Sequence, residues 1–213
     1  MLDQHDNPSN PGTESVQDLV VLDLRHRLKN IYAVVGGVLA LSARAQPEMR
    51  PFVEALRDRI AALEAAHAYL VETPAATEEE RTVMGLLRLL IAPFNSEHVK
   101  TITVSGRDAP MTWGPGGTLA LIVRELATNS VKYGALSAEA GHVAIACSED
   151  RDDYAIHWRE TGGPRLAGPP ETAGFGTRLI ERAAALAGFS VERKWRAEGL
   201  ETVIVIPAAG LTR

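Results

Sequence analysis

The sequence predicts an α+β protein in which a hairpin of two long helices precedes helices packed on one face of a mostly antiparallel sheet. Two amphipathic patterns indicate the hairpin, because apolar residues recur at three- and four-residue steps from Val16 to Leu41 and from Phe52 to Leu70. Later segments that alternate apolar and β-branched residues indicate strands. Helical patterns between those strands predict a two-layer sandwich.

Composition narrows the class of protein. The chain has 213 residues, enough for one or two domains, and its net charge of −5 argues against a nucleic-acid binder. Cys147 is the only cysteine, so neither an internal disulfide nor a cysteine-based zinc site is expected, and a cytoplasmic location fits. No apolar run approaches the roughly 20 residues of a membrane span, so none is predicted. Residues 1–14 are polar and predict a disordered tail.

Residues 15–73 are predicted to form the helical hairpin. Ser15 is a plausible N-cap of the first helix, and the second is expected from Pro51 to Val71. Two helices alone bury little of their apolar surface, so a homodimer that completes a four-helix bundle is expected. The alternative is a single chain that folds the hairpin against its own second domain. The second helix is predicted to bury one apolar set: Phe52, Leu56, Ile60, Leu63, Ala66 and Leu70.

Residues 77–213 are predicted to form the sandwich domain. Thr77 is expected to cap a helix that ends near Ile91, Trp113–Gly117 is expected to be a turn, and a helix is expected over Thr118–Tyr133. Another helix is expected over Thr177–Ala187. The predicted strands are Val99–Ser105, His142–Cys147, Tyr154–Glu160, Ser190–Arg196 and Glu201–Pro207.

The helix before Gly134 carries the most informative pattern. Its residues Glu125, Asn129, Lys132 and Tyr133 are spaced i, i+4, i+7 and i+8, which places them on one face. A carboxylate and an amide oxygen can hold a hard cation or a water, and a lysine can meet phosphate. The alternative is an exposed polar stripe that ends in a glycine cap. The other side is predicted to face the core through Leu121, Ile122, Leu126 and Val131.

Three further segments carry groups suited to chemistry. Glu160, followed by Gly162, offers a carboxylate to an amine such as that of adenine, although a strand-ending turn explains it too. Gly174, Gly176 and Thr177 open a helix whose N–H groups suit phosphate, or else form a simple flexible helix start. His26 lies among cations on the first helix, where an ordinary exposed histidine is the alternative.

Together these segments resemble the HWE group of sensor histidine kinases, whose ATPase part belongs to the superfamily shared with Hsp90, gyrase B and MutL. The resemblance covers roughly Val16 to Pro207, and the order and spacing of its motifs agree. The matching motifs are the phosphoacceptor box Arg25–Asn30, the N box Glu125–Ser137, the Trp-x-Glu box Trp158–Pro164 and the glycine box Gly174–Ile180.

The resemblance implies a role for each motif residue. His26 would accept the γ-phosphoryl group of ATP, and Asn129 would ligate Mg²⁺. Glu125 would hold that metal or its water, and Glu160 would bind the adenine amine. The remaining residues would line the nucleotide, with Lys132 on phosphate, Tyr133 along the pocket, and Gly162, Gly174, Gly176 and Thr177 where the nucleotide approaches the backbone.

One motif residue departs from the group. Arg124 stands where the group has a histidine before the N-box glutamate. Arg27, and not the acid found in the commoner kinases, follows His26, which is normal for the HWE group but leaves no acid beside the phosphoacceptor. Asp23, one turn earlier on the same helix face, is the candidate to orient or deprotonate His26.

The resemblance implies a soluble histidine kinase that phosphorylates itself on His26 and passes the group to an aspartate of a response regulator. An alternative is a histidine phosphotransferase with a non-catalytic ATPase-like domain. A second alternative is a serine kinase of the anti-sigma type on the same ATPase fold. No sensor segment is found among the 213 residues, so input is expected from a separate sensor protein or from the tail.

Overall fold

The computed structural model describes residues 30–72, 81–95, 101–150, 153–171 and 174–211. The chain divides into two compact units, Met1–Arg57 and Asp58–Arg213. His26, Asp23 and the predicted tail lie outside the described residues. The structure therefore bears on the ATPase-like motifs and on most of the two helices.

In the first unit, helix α1 covers residues 30–45 and is followed by a 3₁₀ turn, Pro47–Met49. Helix α2, Arg50–His67, begins there and continues into the second unit, where a π-helical turn, Ala68–Glu72, extends it. Phe52 was expected to be buried but is 46% exposed. Five apolar side chains of α1 are also exposed, between 38% and 65%: Ile31, Val34, Val35, Val38 and Leu41.

The second unit contains a mixed sheet in the order β1-β2-β3-β5-β4. Strand β1 runs parallel to β2, and the other neighbouring pairs are antiparallel. This arrangement confirms the predicted α+β fold with a mixed, mostly antiparallel sheet. The strands are β1 Ile102–Gly106, β2 His142–Asp150, β3 Asp153–Thr161, β4 Ser190–Arg196 and β5 Gly199–Pro207. The helices are α3 Val83–Ile91, α4 Trp113–Tyr133, α5 Phe175–Ala187 and α6 Ala208–Leu211, with 3₁₀ turns at Ala92–Phe94 and Ala135–Ser137.

Helix α3 begins later than predicted. Its cap is Thr82, whose hydroxyl oxygen accepts a hydrogen bond from the Gly85 N–H at 3.1 Å, and Thr77, the predicted cap, lies outside the described residues. The Asp108 carboxylate accepts another from the Met84 N–H at 2.9 Å. These acceptors satisfy N–H groups of the first turn that have no partner within the helix.

Helix α4 begins earlier than predicted, so the expected turn at Trp113–Gly117 was wrong. Pro115 lies in the first turn, where a missing N–H costs no helical hydrogen bond. A side chain at Gly116 would collide with Leu70 of the π-helical turn. The glycines therefore allow close packing of helices and do not break α4. The short helix α6, which the sequence analysis missed, accepts a hydrogen bond from the Thr112 N–H at the Leu211 carbonyl, 2.9 Å away.

The core lies between the sheet and helices α2 to α5. Leu119, Ile122 and Leu126 of α4 are buried in it, as predicted for the last two, whereas Val131 is 45% exposed and the prediction of a core position was wrong. Val131 follows the fully buried Ser130 in the last turn of α4 but lies outside the buried face of that helix. Cys147 is buried on β2, and burial raises the pKa of its thiol.

In the described part of the chain, no helix is long and apolar enough to cross a bilayer.

Candidate functional site

Strand β3 carries an acidic residue in its inward-facing register. Side chains alternate along the strand, so Tyr154, Ile156, Trp158 and Glu160 all face the core. Glu160 is only 3% exposed. One carboxylate oxygen accepts a hydrogen bond from the Ala135 N–H at 2.8 Å, and the other accepts one from the Trp158 indole N–H at 3.1 Å. The strand therefore fixes Glu160 against the end of α4.

Two glycines make this approach possible. A side chain at Gly134 would collide with the Glu160 carboxylate, and its Cβ would lie 2.9 Å from the Ser130 Cα. A Cβ at Gly163 would lie 2.6 Å from the Ala135 Cα. Gly134 has φ −111°, so it is there for space and not for a left-handed cap. The ends of the N box and of the Trp-x-Glu box are thus in direct contact.

Glu125 is in the protein interior and is paired with Arg59 of α2. The Arg59 Nε donates to Glu125 Oε1 at 2.8 Å, and a terminal guanidinium nitrogen donates to Oε2 at 3.1 Å. Glu125 is 6% exposed and Arg59 8%. A two-bond pair of this kind fixes both the position and the plane of the carboxylate.

The first residues of α5 pack against the same Arg59–Glu125 pair. The Arg59 guanidinium carbon lies 4.9 Å from the centroid of the Phe175 ring, within the range of a cation–π contact. A side chain at Gly176 would collide with Glu125 Oε2. The N box and the glycine box, far apart in sequence, therefore meet at Glu125.

A second ion pair also joins α2 and α4, one residue before Arg59 on α2 and one residue before Glu125 on α4. A terminal guanidinium nitrogen of Arg124 is 2.9 Å from Asp58 Oδ2, and its guanidinium carbon is 5.1 Å from the centroid of the Phe94 ring. Asp58–Arg59 of α2 thus meets Arg124–Glu125 of α4 with the charges reversed. Arg124, which replaces a histidine of the resembled group, is held by these contacts.

The remaining predicted residues lie around this centre. Asn129 is half-buried one turn beyond Glu125, while Lys132 is exposed and Tyr133 is 71% exposed at the end of α4. Gly162 has φ 73° and packs where a side chain would collide with the Ala140 carbonyl. Gly174 has open space around its Cβ position, and Thr177 is half-buried in the first turn of α5. Among the described residues, no group of three acidic, histidine or cysteine side chains forms a metal cage.

Comparison with known proteins identifies the family of this chain. Residues 23–108 match the HWE histidine kinase family. Blue-light-activated histidine kinase 1 of Erythrobacter litoralis is 33% identical over 194 residues, which cover 90% of this chain and 53% of that protein. The chain belongs to the HWE histidine kinase family. A blue-light-activated histidine kinase of Brucella ovis is 33% identical over 176 residues, 81% of this chain and 35% of that protein.

The fold of this HWE family member has a similar counterpart among solved structures. The histidine kinase domain of the Erythrobacter litoralis EL346 blue-light activated histidine kinase superposes with a TM-score of 0.59 at 18% identity, covering 93% of this chain and 95% of that one. At such identity the likeness shows the fold alone. The chain spans about half or less of the length of the curated relatives named above.

The sequence analysis did not identify Arg59 or Asp58. Both lie on the predicted hairpin, about 66 residues from their partners, and neither belongs to a motif. One local signal was available, because Arg59 is a charged residue beside the apolar positions Ile60 and Leu63 of an amphipathic helix. Glu160 gave a similar signal as a charge in the apolar register of a strand.

We expect Gly176→Ala to destabilise this HWE family member by about 1–3 kcal/mol, because the added methyl group must displace the Glu125 carboxylate from its pair with Arg59. Gly174→Ala is the matched control, since its Cβ enters open space. Thermal unfolding followed by circular dichroism measures both. Equal unfolding temperatures for the two variants would contradict the close packing at Gly176.

Proposed function

We propose that this chain is an ATP-dependent protein histidine kinase, which phosphorylates itself on His26 and transfers the phosphoryl group to an aspartate of a receiver domain. The observation that carries the proposal is the meeting of three motifs on one helix. Glu160 accepts a hydrogen bond from the Ala135 N–H in the 3₁₀ turn that follows α4, and Gly176 packs on Glu125 in the middle of α4. Family membership, which includes the segment around His26, supports the same activity.

Glu160 suits an adenine amine. A carboxylate has about four acceptor positions, of which Ala135 and Trp158 use one on each oxygen. The remaining lone pairs would accept an amine N–H. Because Glu160 is held by two hydrogen bonds, it needs no rearrangement to present them, and that lowers the cost of binding.

The residues of α4 also suit a magnesium–phosphate group. Mg²⁺ is usually bound by one or two oxygen ligands of the protein together with the phosphates. Asn129 would supply such an oxygen, Glu125 would hold a metal-bound water, and exposed Lys132 and the N–H groups that open α5 would meet phosphate. Mg²⁺ would neutralise charge that develops on the transferred phosphoryl group. Tyr133 would line the nucleotide pocket at the exposed end of α4.

The phosphoacceptor and its partners complete the proposal. Asp23, three residues before His26 in a helical pattern, would orient the imidazole or accept its proton. The exposed apolar stripe of α1 supports a homodimer, in which two hairpins bury their apolar faces in a four-helix bundle. A receiver domain would take the phosphoryl group, and a separate sensor protein would supply the input.

The test is incubation of the chain with γ-labelled ATP and Mg²⁺, followed by acid treatment of the labelled protein. We expect an acid-labile label that His26→Ala removes. His157→Ala, a change at an exposed histidine on β3, is the matched control and is expected to retain the label. Label that persists in His26→Ala would contradict the proposal. Absence of label combined with phosphate uptake from a phosphorylated receiver would indicate a relay protein, and acid-stable label on an added protein's serine would indicate a serine kinase.

A further inference from the structure

We propose that Arg59, on helix α2 and outside every motif, is a positioning residue of the nucleotide site. Its guanidinium fixes the orientation of the Glu125 carboxylate and packs against the first turn of α5. The inference rests on the proposed function, and it adds a residue of the second hairpin helix to the ATP site.

The geometry of the pair supports positioning. Two separate guanidinium nitrogens donate to the two oxygens of Glu125, at 2.8 and 3.1 Å, and both side chains are at most 10% exposed. Two parallel bonds between planar groups leave the carboxylate little freedom to rotate. A lysine would fix one oxygen only, since its ammonium is a point charge.

The same guanidinium also touches the glycine box. Its carbon lies 4.9 Å from the centroid of the Phe175 ring, and Gly176 packs directly against the oxygen that Arg59 holds. Phe175 and Gly176 form the beginning of α5, where backbone N–H groups are available to an anion. Arg59 therefore contacts both Glu125 of α4, which would help to hold the metal, and the first turn of α5, which would bind phosphate.

Charge gives a second reason. A buried carboxylate without a partner would repel the phosphates of a nucleotide bound beside it. Arg59 neutralises Glu125, while each carboxylate oxygen keeps a lone pair for a metal-bound water. Removal of Arg59 would thus disturb both the orientation of Glu125 and the charge that faces the nucleotide.

The neighbouring pair supplies a matched control. Asp58 and Arg124 join the same two helices one residue away, at 2.9 Å, but the Asp58 carboxylate is half-exposed. Arg124 contacts the ring of Phe94, in the 3₁₀ turn after α3. Loss of this pair would weaken the α2–α4 contact without changing the surroundings of Glu125.

The experiment measures binding of a fluorescent ATP analogue to the full chain over a range of Mg²⁺ concentrations, with unfolding temperature recorded for each variant. We expect Arg59→Ala to lower Mg²⁺-dependent affinity about tenfold, as for residues that orient a metal ligand, and Arg59→Lys to restore part of it. Asp58→Asn is expected to keep parental affinity. In a Glu125→Gln background, Arg59→Ala is expected to have no further effect on binding.

Two results would overturn the inference. Parental binding by Arg59→Ala, with only a lower unfolding temperature, would show that the pair is structural. Equal losses with Glu125 and with Gln at position 125 would show that Arg59 acts independently of this carboxylate. If Arg59→Ala does not fold, Arg59→Lys in the two backgrounds makes the same comparison. A parental chain that binds no nucleotide would remove the proposed function and the inference together, whereas a binding parent with an unaffected Arg59→Ala variant removes the inference alone.

Discussion

Asn129→Ala is expected to reduce the autophosphorylation rate of this HWE family member by about 100-fold or more. A metal ion supplies several kcal/mol of charge stabilisation to phosphoryl transfer, and each 1.4 kcal/mol is about tenfold in rate. Asn129 is the amide that α4 would offer to Mg²⁺, one turn from Glu125 and half-buried. Labelling with γ-labelled ATP over a range of Mg²⁺ concentrations measures the loss.

Ser130→Ala is the matched control for this substitution. Ser130 is fully buried, and its hydroxyl oxygen accepts a hydrogen bond from the Leu136 N–H at 3.2 Å. Its loss is expected to cost about 1–3 kcal/mol of folding stability and to leave Mg²⁺ dependence unchanged. An Asn129→Ala variant that retains the parental rate and Mg²⁺ dependence would refute the assigned metal ligand.

Trp158→Ala is expected to reduce the free energy of unfolding by about 3–5 kcal/mol. Trp158 is 1% exposed in the centre of the sheet, opposite Ile145 of β2 and Thr202 of β5. A cavity of that size removes a large fraction of the roughly 5–15 kcal/mol that stabilises a typical domain. Urea unfolding followed by circular dichroism measures the change.

Trp158→Phe separates packing from hydrogen bonding. The phenyl ring fills much of the space but cannot donate to Glu160, which the indole N–H reaches at 3.1 Å. We expect a smaller loss of stability, about 1–3 kcal/mol, together with weaker binding of a fluorescent ATP analogue. Losses of stability as large as those of Trp158→Ala would show that the bond to Glu160, and not volume, dominates at this position.

The contacts between α2 and α4 show how the structure accommodates an arginine at position 124. A histidine is expected at this position in the group, and Arg124 instead reaches Asp58 and the Phe94 ring. Its charge is thus directed to α2. Helix α4 is consequently joined to α2 by two adjacent ion pairs of opposite polarity, of which the Arg59–Glu125 pair is buried and the Asp58–Arg124 pair is partly exposed.

Much of the fold was predictable from local pattern. Strand β4 has the predicted bounds, Ser190–Arg196, and the alternation in Tyr154–Glu160 marked β3 to within one residue at each end. Boundaries failed where glycine and proline suggested a turn, as at the start of α4. There, Gly116 is required by the approach of Leu70, a contact between distant residues that local propensity does not encode.

Most of the helices and strands, the order of the motifs and the helix stripe from Glu125 to Tyr133 could be predicted from the sequence alone, because periodicity and spacing are local properties. Tertiary structure decided the partner of each charge. Glu125 looked like one of four groups on a polar face, yet the fold buries it against Arg59 and Gly176. Glu160 likewise received two fixed donors, one of them the backbone of Ala135. A buried carboxylate needs a compensating partner, and which distant residue provides it depends on how helices and strands pack.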